Sequence, residues 1–107
     1  MTRGDLITVA MQGDFGKPRP ALVIQSDLFA GHRSLTVLPL TSDLRDTPAL
    51  RLRLSPNLEN GLRAESDVMI DKLHTVAIEK IGIPFGQLNK ETLAKIDRLL
   101  TVFLGIA

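Results

Sequence analysis

The chain has 107 residues, of which 44% are apolar and 23% are charged, so we expect one folded domain over residues 1–107 rather than a disordered segment. It contains no cysteine, which excludes a disulfide scaffold, a thiol nucleophile and a zinc–thiolate site, and with only two histidines we expect no metal and no other cofactor. The net charge of +1 is too small to attract nucleic acid by bulk electrostatics, so RNA or DNA would have to bind in a local groove.

The sequence predicts a series of short strands. They are expected over residues 5–11, 20–25, 34–40, 50–54, 66–73 and 81–88. The segment 20–25 is apolar on both faces and therefore predicts a central strand, whereas 50–54 alternates leucine with arginine, which places the leucines in the core. Pro39 implies a bulge or a break in the hydrogen-bond ladder of the third strand. Residues 12–18 predict a loop that contains two glycines.

The chain closes with a helix, predicted over residues 90–104. Asn89 is a good N-cap, and Gly105 provides a stop at the C-terminal end. One apolar stripe along this helix consists of Leu93, Ile96, Leu100 and Phe103.

Short strands followed by one helix are typical of a small, partly open β-barrel of the SH3-like type, a mainly β fold with one α-helix. The apolar surface of the helix is wider than one small sheet needs, which favours a homodimer; the alternative is a helix that only plugs its own barrel. The longest uncharged apolar stretch, residues 99–107, is too short to span a bilayer. We therefore expect no membrane partner and a cytoplasmic location.

An arginine between two prolines stands at the entrance to the second strand. Pro18 and Pro20 fix their own φ and restrict the residue before each of them, so Arg19 is presented in a restrained conformation. A stiffly held guanidinium suits a phosphate, which it grips with two hydrogen bonds and a permanent charge. The alternative is a solvated arginine at the start of a strand. Lys17, next to this motif, can contact a phosphate as a mobile point charge.

Further side chains are candidates for contact with RNA. Phe15, between glycines, can stack on an unpaired base or fold back over the end of the barrel. Arg51 and Arg53 either extend a binding groove or form a solvated face. The full set of candidate RNA-binding residues is Gln12, Phe15, Lys17, Gln25, Ser42, Arg51 and Arg53.

These residues belong to a longer pattern. Arg3-Gly-Asp-Leu is followed by Gly16-Lys-Pro-Arg-Pro-Ala-Leu-Val-Ile-Gln-Ser-Asp27, by Val37-Leu-Pro-Leu-Thr-Ser42 and by Val68-Met-Ile-Asp71. Across essentially the whole chain the sequence resembles the MazF/PemK (Kid) toxins of bacterial toxin–antitoxin pairs. The resemblance implies a homodimeric SH3-like barrel and an endoribonuclease, an mRNA interferase, that cuts single-stranded RNA without a metal ion. It also implies a cognate antitoxin that silences the enzyme.

The resemblance carries over three catalytic candidates. The family's catalytic arginine falls on Arg19, its catalytic threonine on Thr41, and the acidic residue of some members on Asp71. The PemK branch pairs this acid with an arginine two residues earlier, where this chain has Met69. The arginine–threonine scheme of the MazF branch therefore fits this chain better.

Metal-free RNA cleavage uses the 2′-hydroxyl of the substrate as the nucleophile and leaves a 2′,3′-cyclic phosphate and a 5′-hydroxyl. Arg19 can hold the negative charge of the pentacoordinate phosphorus, and Thr41 can donate to the same oxygen or position the 2′-hydroxyl. The proton acceptor is left open. Asp71 is a candidate. Of the two histidines His74 is the better placed to reach a groove, because it follows the strand that carries Asp71, but a lone histidine is more often a surface residue and neither is counted among the catalytic residues.

Two other functions compete with RNA cleavage. The tail Phe103-Leu-Gly-Ile106 resembles that of CcdB, a DNA gyrase poison of the same fold, but CcdB has a tryptophan where this chain has Leu104. Tryptophan anchors dominate interface hot spots, and a protein-binding poison does not need Arg19 with Thr41, so we favour the ribonuclease. An inactive relative that only binds RNA or an antitoxin is the third hypothesis. The antitoxin is expected to carry a disordered segment that folds as it lies across the groove.

Overall fold

Seven strands and one α-helix form within residues 1–10 and 17–106, the part of the chain that the computed structural model describes. The strands are β1 (Asp5–Ala10), β2 (Pro18–Val23), β3 (Ser34–Thr41), β4 (Arg51–Leu54), β5 (Ser66–Met69), β6 (His74–Ala77) and β7 (Gly86–Gln87), and the helix is α1 (Lys90–Leu104). The strands join in one curled antiparallel sheet in the order β4-β5-β3-β2-β1-β7, with β6 also paired to β3. The predicted partly open barrel with a C-terminal helix is thus confirmed.

The sheet buries apolar side chains on both faces, because successive residues of a strand point in opposite directions. The core against α1 contains Leu6, Leu22, Leu38, Leu40, Leu54, Val68, Ile70, Leu88, Ile96 and Leu100. The core on the other face contains Ile7, Val9, Ala21, Val23, Leu35, Val37 and Val76. β2 is central, as predicted, but it starts two residues earlier than expected, because Pro18 already pairs with Ala10 of β1.

Strands β5 and β6 lie one after the other along the same edge of β3. Leu40 faces Val68 of β5, and Val37 faces His74 of β6. The stretch of β3 from Leu40 to Val37 advances by three residues, whereas the stretch from Val68 to His74 that lies along it advances by six. The second stretch therefore contains three extra residues. Those residues, 70–72, form a 3-10 turn between the two strands.

The prediction of one strand over residues 66–73 is wrong for this reason. β5 ends at Met69, and Asp71 lies on the 3-10 turn instead of in a strand. The predicted irregularity at Pro39 belongs to the same feature. β3 runs through Pro39 without interruption, but its ladder on this edge changes from β6 to β5 beside it.

Helix α1 has the predicted bounds. The Asn89 side chain accepts a hydrogen bond from the Thr92 N–H over 2.8 Å, and Gly105, with φ of 74°, ends the helix in the left-handed region. Ile96 and Leu100 are buried, whereas Phe103, the last residue of the predicted stripe, is 45% exposed. No helix in the described part of the chain has the length and apolar character needed to cross a membrane.

Candidate functional site

A groove of about 460 Å³ opens on the face of the sheet opposite α1. Its lining includes Arg19, Pro39, Thr41, Met69, Lys72 and His74. Strands β2, β3 and β5 supply the first four of these side chains, and the 3-10 turn and β6 supply the other two. The groove is thus lined by residues from both sides of the 3-10 turn at residues 70–72.

Arg19 and Thr41 lie on neighbouring strands, and both line the groove. The paired part of β2 and β3 ends where Ala21 faces Pro39, and Arg19 and Thr41 each lie two residues beyond that pair. Because side chains two residues apart on a strand point to the same face, both lie on the face of Ala21 and Pro39. The structure therefore brings together the two residues predicted to carry catalysis.

The hydroxyl group of Thr41 is oriented by the chain that follows β3. Thr41 is half-buried, and its Oγ1 accepts a hydrogen bond from the Asp43 N–H over 3.1 Å. A hydroxyl has one proton and two lone pairs, so this contact occupies a lone pair and leaves the proton for donation. Ser42 is exposed and does not line the groove.

His74 also faces the groove. It pairs with Val37, which lies four residues before Thr41 on β3 and so shares its face. The Nδ1 atom is 3.0 Å from the Lys72 carbonyl oxygen, which can only accept, so Nδ1 is the donor of this contact. In the corresponding neutral tautomer the lone pair is on Nε2. Solvent does not reach Nε2, and no described residue supplies it with a hydrogen bond.

Asp71 is placed differently from what the sequence predicts. Its carboxylate lies 3.2 Å from the Lys72 ammonium nitrogen, and the residue does not contribute to the lining of the groove. Lys72 does line the groove, and sequence analysis did not single it out. Nothing in the local sequence marks Lys72, because it reaches the groove only through the turn.

Arg51 and Arg53 are paired with a buried carboxylate beside the groove. The Arg51 Nη1 atom lies 3.3 Å from Asp67 Oδ2, and the Arg53 Nε atom lies 3.0 Å from Asp67 Oδ1. Asp67 is only 1% exposed, and its Oδ2 also accepts the Arg45 backbone N–H over 2.9 Å. The two arginines consequently have partners inside the fold, and Asp67 is a residue of this region that sequence analysis missed.

The ionisation of this cluster follows from its contacts. Burial raises the pKa of Asp67, but the hydrogen bonds from Arg53, the Arg45 amide and Arg51 outweigh burial and hold that pKa below its ordinary value. The hydrogen bond to Asp67 in turn raises the pKa of Arg53. Asp67 is therefore a carboxylate at neutral pH, and it offsets arginine charge next to Thr41.

Gln25 lies far from the groove. It is six residues along the chain from Arg19, which is about 20 Å in extended backbone. Its side-chain oxygen accepts the Thr36 N–H over 3.1 Å, and its side-chain nitrogen donates to the Phe29 carbonyl over 3.3 Å. Both ends of the amide therefore brace the turn after β2.

The remaining candidates are on or near the loop between β1 and β2. Lys17 is exposed and lies two residues before Arg19. Gln12 and Phe15 lie outside the described residues. Among residues 1–10 and 17–106, no group of three or more His, Asp or Glu side chains is arranged to hold a metal ion.

The structure thus presents a half-open barrel whose groove is lined by an arginine and a threonine from neighbouring strands. The model of the family described as the PemK-like, MazF-like toxin of type II toxin–antitoxin systems matches residues 2–104. The chain is a member of this family, and the resemblance found in the sequence is confirmed.

Two relatives support this assignment, and a solved structure shares the fold. The probable endoribonuclease MazF of Mycolicibacterium smegmatis is 44% identical over 108 residues, which cover 100% of this chain and 99% of the relative. Endoribonuclease MazF9 of Mycobacterium tuberculosis is 25% identical over 116 residues, which cover 99% and 98%. A solved structure described as an endoribonuclease in complex with its cognate antitoxin, from a mycobacterial species, has a TM-score of 0.82 at 20% identity, covers 100% of this chain and 97% of that one, and so shares its fold.

Proposed function

We propose that this chain is the toxin of a toxin–antitoxin pair and a sequence-specific endoribonuclease that cleaves single-stranded RNA, with mRNA as the expected target, in the groove lined by Arg19 and Thr41. The family match and the two curated relatives, both named as endoribonucleases, support this activity. The observation that carries the site is the lining of the groove, which includes a guanidinium from β2 and a hydroxyl donor from β3.

The 2′-hydroxyl oxygen of the substrate attacks phosphorus, and the bond from phosphorus to the 5′-oxygen breaks. The products are a 2′,3′-cyclic phosphate and a 5′-hydroxyl, so one proton leaves the 2′-oxygen and one reaches the 5′-oxygen. Arg19 stabilises the charge that develops on the non-bridging oxygens, and Thr41 donates its proton to the same group. Arginine stays protonated, so Arg19 stabilises charge and does not accept the proton.

Two side chains are candidates for the proton acceptor. Asp71 comes from the family resemblance, and His74 comes from the groove lining. The Nε2 atom of His74 is buried and has no described partner, so the imidazole must turn toward the groove before a 2′-hydroxyl can reach that atom. Lys17 is the predicted RNA-binding residue best placed to extend the site, because it is exposed and close to Arg19. Arg51, Arg53 and Gln25 have partners within the fold and contribute less to RNA binding in this proposal.

The gyrase-poison alternative is not favoured. The matching family is that of PemK-like and MazF-like toxins, and both curated relatives are named for RNA cleavage. Leu104, at the position where the poison carries tryptophan, also provides a weaker anchor.

An antitoxin is one expected protein partner, supported by the solved structure described as bound to its cognate antitoxin.

The other expected protein partner is a second copy of the chain. The apolar side chains exposed at the end of α1 and beyond it support a homodimer, and they are Val102, Phe103, Leu104 and Ile106. Light scattering at micromolar concentration should give twice the mass of 11.7 kDa, and a monomer mass would contradict the dimer. The site of action in this proposal is the cytoplasm, where mRNA is found.

The activity is tested with a long, mixed-sequence single-stranded RNA in excess EDTA. We expect the purified protein to produce discrete breaks, mapped by primer extension, with 2′,3′-cyclic phosphate ends. Loss of cutting in EDTA that returns with added metal would contradict the metal-free mechanism. No cutting under either condition by a folded protein, with DNA breaks in a gyrase assay, would support the gyrase poison instead.

A further inference from the structure

We propose that Asp67 is a positioning residue for the ribonuclease reaction: it fixes the chain segment 43–45 and thereby the direction of the Thr41 hydroxyl. This inference rests on the proposed function, because it concerns the donor that acts on the phosphate. It assigns a role in the site to a buried carboxylate that does not itself touch the substrate.

Asp67 lies in a row of side chains that crosses three strands. It faces Thr41 in the pairing of β5 with β3, and it faces Arg53 in the pairing of β5 with β4. All three side chains therefore point to the groove side of the sheet. Asp67 is directly beside Thr41, yet its carboxylate turns to the arginines and not to the hydroxyl.

The carboxylate and its arginines tie down the chain that leaves β3. Asp67 Oδ2 accepts the Arg45 N–H over 2.9 Å, and Arg53 Nη2 donates to the Arg45 carbonyl over 3.2 Å. Arg51 Nη1 donates to the Asp43 carbonyl over 2.7 Å and lies 3.3 Å from the same carboxylate oxygen. Both backbone groups of Arg45 and the carbonyl of Asp43 are thus held by one charged cluster.

These contacts with the backbone of residues 43–45 act on the Thr41 hydroxyl through Asp43. The Asp43 N–H donates to Thr41 Oγ1, so a fixed Asp43 backbone sets which lone pair of the hydroxyl is occupied and where its proton can point. Hydroxyl donors contribute to catalysis only when they are oriented before the charge develops. The two arginines also neutralise Asp67, so a carboxylate next to Thr41 does not repel the phosphate.

A purely structural role and a positioning role predict different results in a double-mutant cycle. Asp67→Asn keeps the shape of the side chain and removes its charge, and Thr41→Val keeps the shape and removes the hydroxyl. We expect Asp67→Asn to lower the single-turnover cleavage rate by roughly ten- to a hundredfold, with the RNA concentration for half-saturation unchanged. In the Thr41→Val background the same change should alter the rate by less than about twofold, because no hydroxyl is left to orient.

Equal losses from Asp67→Asn in both backgrounds would overturn the inference, as would a wild-type rate in the single variant. Asp97→Asn is the matched control: it removes a carboxylate that lies 2.6 Å from Arg3 at α1, away from the groove, and should leave cleavage unchanged. Thermal unfolding monitored by circular dichroism shows whether each variant is folded.

Arg51→Met tests the same link if Asp67→Asn does not fold. It releases the Asp43 carbonyl and removes the contact of Arg51 with Asp67, while the contacts between Asp67 and Arg53 stay in place, so it should reproduce the loss that depends on Thr41. A loss independent of Thr41 would overturn the inference here as well. If the wild-type protein cuts RNA and these cycles are additive, only the role of Asp67 fails; if the wild type does not cut RNA, the proposed function itself fails.

Discussion

Arg19→Ala should lower the rate constant for RNA cleavage by about a hundred- to a thousandfold, the usual cost of removing one preorganised donor from an oxyanion site. The fold should be unaffected, because Arg19 is exposed and the flanking Pro18 and Pro20 fix the backbone without it. Arg19→Lys should recover only part of the loss, since an ammonium keeps the charge but not the planar pair of donors. Single-turnover cleavage of a labelled RNA measures all three proteins.

Arg33→Ala is the matched control for this experiment, because it removes an exposed arginine at the opposite end of β3 from Thr41. It should cut at the wild-type rate. Equal cutting by Arg19→Ala and the wild type, with the same break sites, would remove Arg19 from the mechanism.

His74→Asn should lower the cleavage rate by about a hundred- to ten-thousandfold, the range for loss of a general base. Asparagine keeps a donor at the position of Nδ1, so the contact with the Lys72 carbonyl is preserved, but it lacks the Nε2 lone pair. Asp71→Asn should have the smaller effect, because Asp71 lies outside the groove lining and pairs with the exposed Lys72.

A substrate with sulfur in place of the bridging 5′-oxygen identifies the proton that His74 handles. A thiolate leaves without being protonated, so a loss that persists on this substrate shows that the imidazole acts on the 2′-hydroxyl. A loss that disappears would assign His74 to the leaving group and contradict its role as the base. A larger effect of Asp71→Asn than of His74→Asn would return the role of base to the carboxylate.

The elements with strong local signals could be predicted from the sequence. Helix α1 has an N-cap at Asn89 and a glycine stop at Gly105, and its bounds came out as predicted. The arginine between two prolines also identified one side of the groove, although β2 starts at Pro18, two residues before the predicted start. These features depend on backbone preferences of one or two residues, which any sequence displays directly.

The turn at residues 70–72 could not be predicted, because no glycine or proline marks it and Ile70 continues the apolar face that Val68 begins. A continuous strand would direct Met69 and Asp71 to the groove and His74 to the opposite face. The three extra residues reverse this alternation, so that Met69 and His74 share the groove face with Thr41. The sequence therefore predicted Asp71 in the groove, whereas the structure places the His74 imidazole there.

The partners of Arg51 and Arg53 were also beyond the reach of local pattern. Their alternation with leucine correctly predicted that they leave the core against α1. Their partner, Asp67, is set by the register of β4 with β5, and that register is fixed by how the whole sheet is assembled. A pattern with a period of two says which face a side chain is on, but not which residue from another strand meets it there.

The reversal at residues 70–72 also bears on how relatives of this chain should be compared. In this scaffold the identity of the side chain in the groove depends on the number of residues in one short turn, so a single insertion or deletion there exchanges one chemical group for another without any substitution. Positions aligned by their distance from the arginine motif then correspond in sequence but not in space. Functional equivalence among such toxins is better judged by which residue of β3 a given position faces than by its number along the chain.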